Sequence, residues 1–220
     1  MKKLTFEEIR KNPDVKKFLE KTDRYLEKIG YTEHGSRHAW IVANTAKNIL
    51  LKLGYSKEGA ELAAISGYLH DIGSVVNRKD HSQSSAIIVF TMLYEKMPID
   101  DLIRVITAIG NHHEETSNPA NLISAAVVIA DKADVHRSRV KNNNPTTFDI
   151  HDRVNYATKK SKVIVDKQKR TIKLDLTIDT KTASVMDYFE IFMGRMIASR
   201  RAAEFLGCKL ELYVNDNKLL

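Results

Sequence analysis

At 220 residues, 43% hydrophobic and 29% charged, the chain is long enough for one sizeable core, or one core with a small appendage. No apolar run approaches the roughly 18 residues a membrane-spanning helix needs, and a single cysteine, Cys208, excludes an internal disulfide framework and predicts a reducing, cytoplasmic setting. The net charge of +7 admits a polyanionic partner, but basic and acidic residues are interspersed, which argues for solubility and against nucleic acid.

Met1–Arg10 begins basic and turns acidic before an apolar run can form, so no secretory leader is expected. Thr5 with Glu8 is a capping-box pattern, and Asn12-Pro13 is a break or a fresh helix start. Val15, Phe18, Leu19, Leu26 and Ile29 keep helical spacing as far as Gly30. A longer helix is predicted from about His34 to Leu53, closed by Gly54. Ser56 caps the next one, which runs through Leu62, Ala63, Ile65 and Leu69 into His70-Asp71, with Gly73 ending it. A polar loop leads to His81, and Ser82–Tyr94 is helical again.

Pro98 and Asp100 open a helix that delivers His112 and His113 at its end. Asn118-Pro119 starts another, apolar nearly all round over Leu122–Ala130 and therefore central, which ends in Asp131 and Asp134. The texture changes after Lys141. Asp149–Lys159 reads as a last short helix, Lys162–Asp166 and Arg170–Ile178 as a hairpin, Val185–Leu206 as a strong helix and Lys209–Val214 as a third strand. The predicted fold is mainly α, a helical bundle over residues 1–158 with a small β-β-α-β appendage over residues 159–220.

Six of the eight histidines fall before Asn118, each in or beside the end of a predicted helix. His34 and His38 are four apart and would share a helix face. Taken alone, His70-Asp71 also reads as a helix C-terminus with a charge-compensating histidine. Imidazoles and carboxylates without a nearby thiolate suit Mn, Fe, Zn or Ni, with Mg least favoured.

The order His38, His70-Asp71, His81, His112-His113, Asp131, with local sequences L-H-D-I-G, H-S-Q-S-S-A, N-H-H-E-E and I-A-D-K-A-D, resembles the HD superfamily of metal-dependent phosphohydrolases over roughly His34–Arg139. The added histidines resemble its subset with a two- or three-metal centre, including the HD-GYP phosphodiesterases. That resemblance implies an HD-type bundle in which His38, His70, Asp71 and Asp131 hold one metal. Asp71 would bridge to a second, held by His81, His112 and His113, and Asp71 and His70 would be the catalytic pair. His34 and Asp134 would support a third metal or orient the ligands. Ser74 stands where HD-GYP proteins have a lysine, and no G-Y-P follows H-H-E, so cyclic dinucleotide cleavage is not expected.

The implied reaction is hydrolysis of a phosphate ester of a nucleotide or related small molecule by a hydroxide shared between two divalent transition metals, Mn or Fe before Zn or Ni. Lys79, Lys132 and Arg137 are candidate phosphate contacts, with Arg78 close by in sequence. The same ligands also resemble those of HD-type di-iron oxygenases, and a non-catalytic metal- or nucleotide-binding regulator is the third reading. Asp134 could instead bond backbone or Arg137, and His136 and His151 read as surface residues. The lysines of 159–170 protect an edge strand in preference to binding nucleic acid. The apolar stripe of Val185–Ile197 is core, with a homodimer face as the alternative.

Overall fold

The computed structural model describes residues 3–113 and 118–220. Among them, nine α-helices precede or flank one four-stranded sheet near the C-terminus, so the chain is mainly α with a small α+β part. In α1 (Phe6–Lys11) the Thr5 hydroxyl accepts from the Glu8 amide while the Glu8 carboxylate accepts from the Thr5 amide. Pro13 then opens α2 (Pro13–Lys28), capped by the Asn12 side chain.

The next helix, α3 (Ser36–Leu53), begins two residues later than the sequence suggests. Two carboxylates hold residues 33–35 out of the helix. Asp23 accepts from the His34 amide, and Glu33 accepts from the amides of Gly35 and His38. His34 and His38 are therefore not on one helix face, and their rings meet instead through this bend, with centroids 5.5 Å apart. Ser56 caps α4 (Lys57–Leu69), which runs directly into His70, Asp71 and a tight 3-10 turn over Ile72–Val75.

His81 is the first residue of α5 (His81–Leu93), and α6 (Ile99–Gly110) ends two residues before His112. Helix α7 (Leu122–Ala133) is buried at all but its first residue, as its all-round apolar sequence requires. It packs against α3, α4, α6 and the later α9 (Val185–Phe205). Each fully buried Val, Ile or Leu there contributes about 1.5–3 kcal/mol.

The short helix α8 (Ile150–Ala157) runs straight into β1 (Thr158–Asp166), which pairs antiparallel with β2 (Thr171–Ile178). Helix α9 crosses over to β3 (Lys209–Val214), which lies parallel to β2. A two-residue strand, β4 (Asn217–Lys218), completes the order β1-β2-β3-β4. The sequence reading lacks β4. Its turn, Asn215-Asp216, has both residues in the left-handed region, the backbone a two-residue hairpin needs.

The main core joins Leu19, Ile49, Ile65 and Val127 to Ile172, Ala198, Ala202 and Leu210. A smaller cluster of Val154, Leu176, Tyr188, Phe192 and Leu212 lies around the sheet, α8 and α9. No described helix is long and apolar enough to cross a membrane.

Candidate metal centre

Four imidazoles meet at the ends of α3, α4, α5 and α6, and each is turned by a hydrogen bond behind it. Nδ1 of His70, His81 and His112 lies 2.8, 2.8 and 2.6 Å from the carbonyl oxygens of Gly67, Arg78 and Ile109. Nδ1 of His38 lies 2.7 Å from Oδ2 of Asp134. Carbonyl and carboxylate oxygens accept, so Nδ1 carries a hydrogen in each case and each Nε2 faces inward. His38 and His70 bring their Nε2 atoms to 3.3 Å, and His81 and His112 bring theirs to 3.0 Å.

Asp71 lies between these pairs and divides its oxygens between them. Its Oδ2 is 3.3 Å from His70 Nε2 and 3.7 Å from His38 Nε2. Its Oδ1 is 3.2 Å from His81 Nε2 and 3.7 Å from His112 Nε2. Asp131, in the last turn of α7, adds Oδ1 at 3.3 Å from His38 and 3.6 Å from His70. These residues form three overlapping groups whose ligand atoms lie within 4.8 Å of one another.

The donor set fits divalent metal. Converging lone pairs at such separations repel unless positive charge lies between them, and ligands at about 2.0–2.2 Å from a cation have just this closeness to each other. Burial opposes charge on His70, but the carboxylates of Asp71 and Asp131 outweigh it and push its pKa up to about 10. Burial dominates at His112 and takes it down to about 3. Burial also works against ionised Asp71 and Asp131, yet His70 and Arg78 hold the first, and Lys132 and His38 the second, well below the usual carboxylate range. The field that keeps a proton on His70 would attract a dication to the same place.

A second ring of charges supports the ligands. Arg37 donates to both oxygens of Asp134, at 3.0 and 3.2 Å, behind His38. Buried Arg139 donates to the carbonyls of Glu33 and Asp134. Asp134 thus bonds His38 and Arg37, not Arg137. Such outer contacts typically govern metal affinity by about 10–100-fold. Asp134→Ala is expected to weaken Mn or Zn binding by that factor while the helices remain folded, as read by metal titration and circular dichroism.

Of the other candidates, His113 is half-buried with its ring 5.2 Å from that of His81, outside the three groups. Buried His34 has Nδ1 2.6 Å from the Thr32 carbonyl, and burial lowers its pKa well below the usual value. Lys132 Nζ lies 2.5 Å from Asp131 Oδ2. Arg137 donates to the Tyr156 carbonyl and stands over its ring. Glu114 and Glu115 of the N-H-H-E-E motif lie outside the described residues. Sequence reasoning missed Glu33, Arg37 and Arg139, and although the first two are direct neighbours of His34 and His38, nothing local reveals their partners.

Beside the centre opens a cavity of about 760 Å³ whose lining includes Tyr31, His34, Arg78, Lys79 and His113. Arg78 connects it to the ligands by donating to Asp71 Oδ1 at 3.1 Å and to Ser74 Oγ at 3.3 Å.

Residues 35–137 match the HD domain family. The chain is also 27% identical, over 161 aligned residues, to "Uncharacterized protein MJ1020" of Methanocaldococcus jannaschii, an alignment covering 62% of this chain. It spans 61% of that protein's length. The family match runs from the residue before α3 to the turn after Asp134, the stretch that supplies every histidine and carboxylate of the centre. Residues 35–137 are thus similar to an HD domain, and the buried histidines and aspartates that converge within them form a cluster that could hold metal ions.

Proposed function

We propose that the protein is a phosphohydrolase that cleaves a phosphate ester of a nucleotide or related small molecule. The observation that carries this reading is the division of Asp71, one oxygen toward His38 and His70 and the other toward His81 and His112. His38, His70, Asp131 and Asp71 Oδ2 would hold one metal, and His81, His112 and Asp71 Oδ1 the other, with His113 close to the second. Two divalent transition metals bound there, Mn or Fe before Zn or Ni, would supply an acidified water and positive charge for the phosphate oxygens.

The remaining work falls to the protein. The Nδ1 hydrogen bonds fix the imidazoles before any substrate arrives, so no reorientation is needed during reaction. Arg78 stands between Asp71 and the cavity, where a guanidinium can pair with a phosphate oxygen. Ser74, in the position where the HD-GYP subset carries lysine, is buried and accepts from Arg78. Arg78 therefore supplies a cation near the one that Ser74 lacks. Lys79 lines the cavity and is a second phosphate contact, whereas Lys132 serves Asp131. The single, buried Cys208 accords with a reducing cytoplasm.

Metal analysis of the purified protein, followed by a panel of phosphomonoesters and phosphodiesters with added Mn, tests the proposal. Hydrolysis is expected with at least one nucleotide and is expected to disappear on chelation. A metal-replete protein inert toward every phosphate ester, yet consuming oxygen with an organic substrate, would replace this reading with the di-iron oxygenase.

A further inference from the structure

Helices α5 and α6 lie side by side, joined by the short turn over residues 94–98, and each has two apolar stripes. The inner stripes, Val89 and Leu93 in α5 with Leu102, Val105 and Ile109 in α6, are buried in the core. The outer stripes are not. Ala86, Ile87 and Phe90 of α5 and Ile106, Thr107 and Gly110 of α6 line one shallow groove of about 370 Å³. Helical spacing carries the α5 stripe on to Tyr94, whose ring lies 5.1 Å from that of Phe90, and the α6 stripe back to Ile103 and Ile99. Ile87, Tyr94, Ile99 and Ile103 are 68, 54, 51 and 50% exposed, and Phe90 is 38% exposed.

These five side chains leave roughly 500 Å² open to water, near the top of the range for the largest apolar patch on a monomer. Two copies that pair these stripes bury about 1,000 Å² from them alone. Flanking Gln83, Thr91 and Thr107 bring the contact toward the roughly 1,200–2,000 Å² of a standard interface. Charge points to a second copy as the occupant. Helix α5 contains no charged residue, so nothing on it selects an acidic or a basic partner. At the turn stand Glu95, Lys96, Asp100 and Asp101, an acidic excess that repels an anionic lipid surface. The α9 stripe over Val185–Ile197, the alternative homodimer face, has Asp187, Glu190 and Arg195 along its length and shares its groove with Leu219 and Leu220.

We propose that two copies of this chain pair through the outer faces of α5 and α6, about a two-fold axis, as a four-helix interface. Within its own chain α5 packs chiefly against α6 and the turn over Ile72–Val75, so the second copy supplies packing on its open side. Helix α5 begins with His81 and α6 leads to His112. Pairing therefore braces both helices that bring the His81–His112 side of the centre together.

The test is sedimentation velocity of the full chain at roughly 50 µM, where a micromolar dimer is mostly assembled. Twice the monomer mass is expected. Ile87→Lys combined with Ile103→Lys is expected to raise the dissociation constant about tenfold or more with unchanged circular dichroism, because the added charges have no partner inside the interface. Ile87→Gln alone, at the most exposed of the five, serves if the double variant folds poorly, and the same direction is expected. Met186→Lys combined with Met193→Lys, both exposed on α9, is expected to leave the dimer intact. A protein that is monomeric at that concentration overturns the proposal, whether the face then binds vesicles of phosphatidylcholine and phosphatidylglycerol or an apolar helix of another protein. A dimer that survives the α5 and α6 changes, or is lost with the α9 changes alone, overturns it as well.

Discussion

Asp71→Asn is expected to reduce bound metal from about two ions per chain to about one, and Asp71→Ala to remove most of it. The asparagine is nearly isosteric but keeps a single oxygen acceptor, so it can serve the His38–His70 side or the His81–His112 side, not both. Hydrolysis is expected to fall by about 10³-fold or more in either variant, roughly 4 kcal/mol of transition-state stabilisation. Elemental analysis together with kcat/KM on the best substrate of the panel reads both effects. Two full equivalents of metal in Asp71→Asn would remove the bridge from the proposal.

Gly73→Ala is expected to destabilise the fold by about 3 kcal/mol and to weaken metal binding along with it. A Cβ at position 73 would lie 2.2 Å from the Ser85 amide nitrogen and 2.6 Å from the His81 carbonyl oxygen, both backbone atoms with no room to give. The Gly73 amide also donates to the Ser85 hydroxyl at 2.8 Å, which ties the turn to the first turns of α5. Relieving the clash must move α5, and His81 with it. Gly110→Ala is the matched control, since its Cβ would meet nothing closer than 3.8 Å, and a neutral or slightly stabilising effect is expected. Urea denaturation of the two variants gives the comparison, and equal stability would mean that the turn and α5 do not need their close approach.

The residues that converge were legible because each lies at the end of a strongly periodic helix, next to a short motif that marks the spot. His70-Asp71, His81 and Asp131 needed only those two cues. The supporting ring was not legible, because its bonds connect positions far apart in sequence: Arg139 to Glu33 and Arg37 to Asp134. For Asp134 the sequence leaves support of the ligands and a bond to backbone or Arg137 as equal alternatives, and only the fold selects His38 and Arg37. His34 was assigned to a helix on spacing alone, and carboxylates from Asp23 and Glu33 decided otherwise. Gly73 was legible as a helix stop, but its stronger constraint is the neighbouring backbone, which no one-dimensional pattern records. β4 is too short to carry an alternation signal, although its Asn-Asp turn does carry one.

Helix α7, which brings Asp131 to the centre, has one apolar side covered by α9, a segment that comes much later in the chain. A chain growing from its N-terminus therefore completes its set of histidines and its aspartates while that side of α7 is still bare. Until α9 emerges and docks, Asp131 is carried by a helix whose packing is unfinished. Metal capture in the native arrangement is expected to follow the docking of α9, and the apolar flank of α7 is the surface a nascent-chain chaperone would need to shield until then.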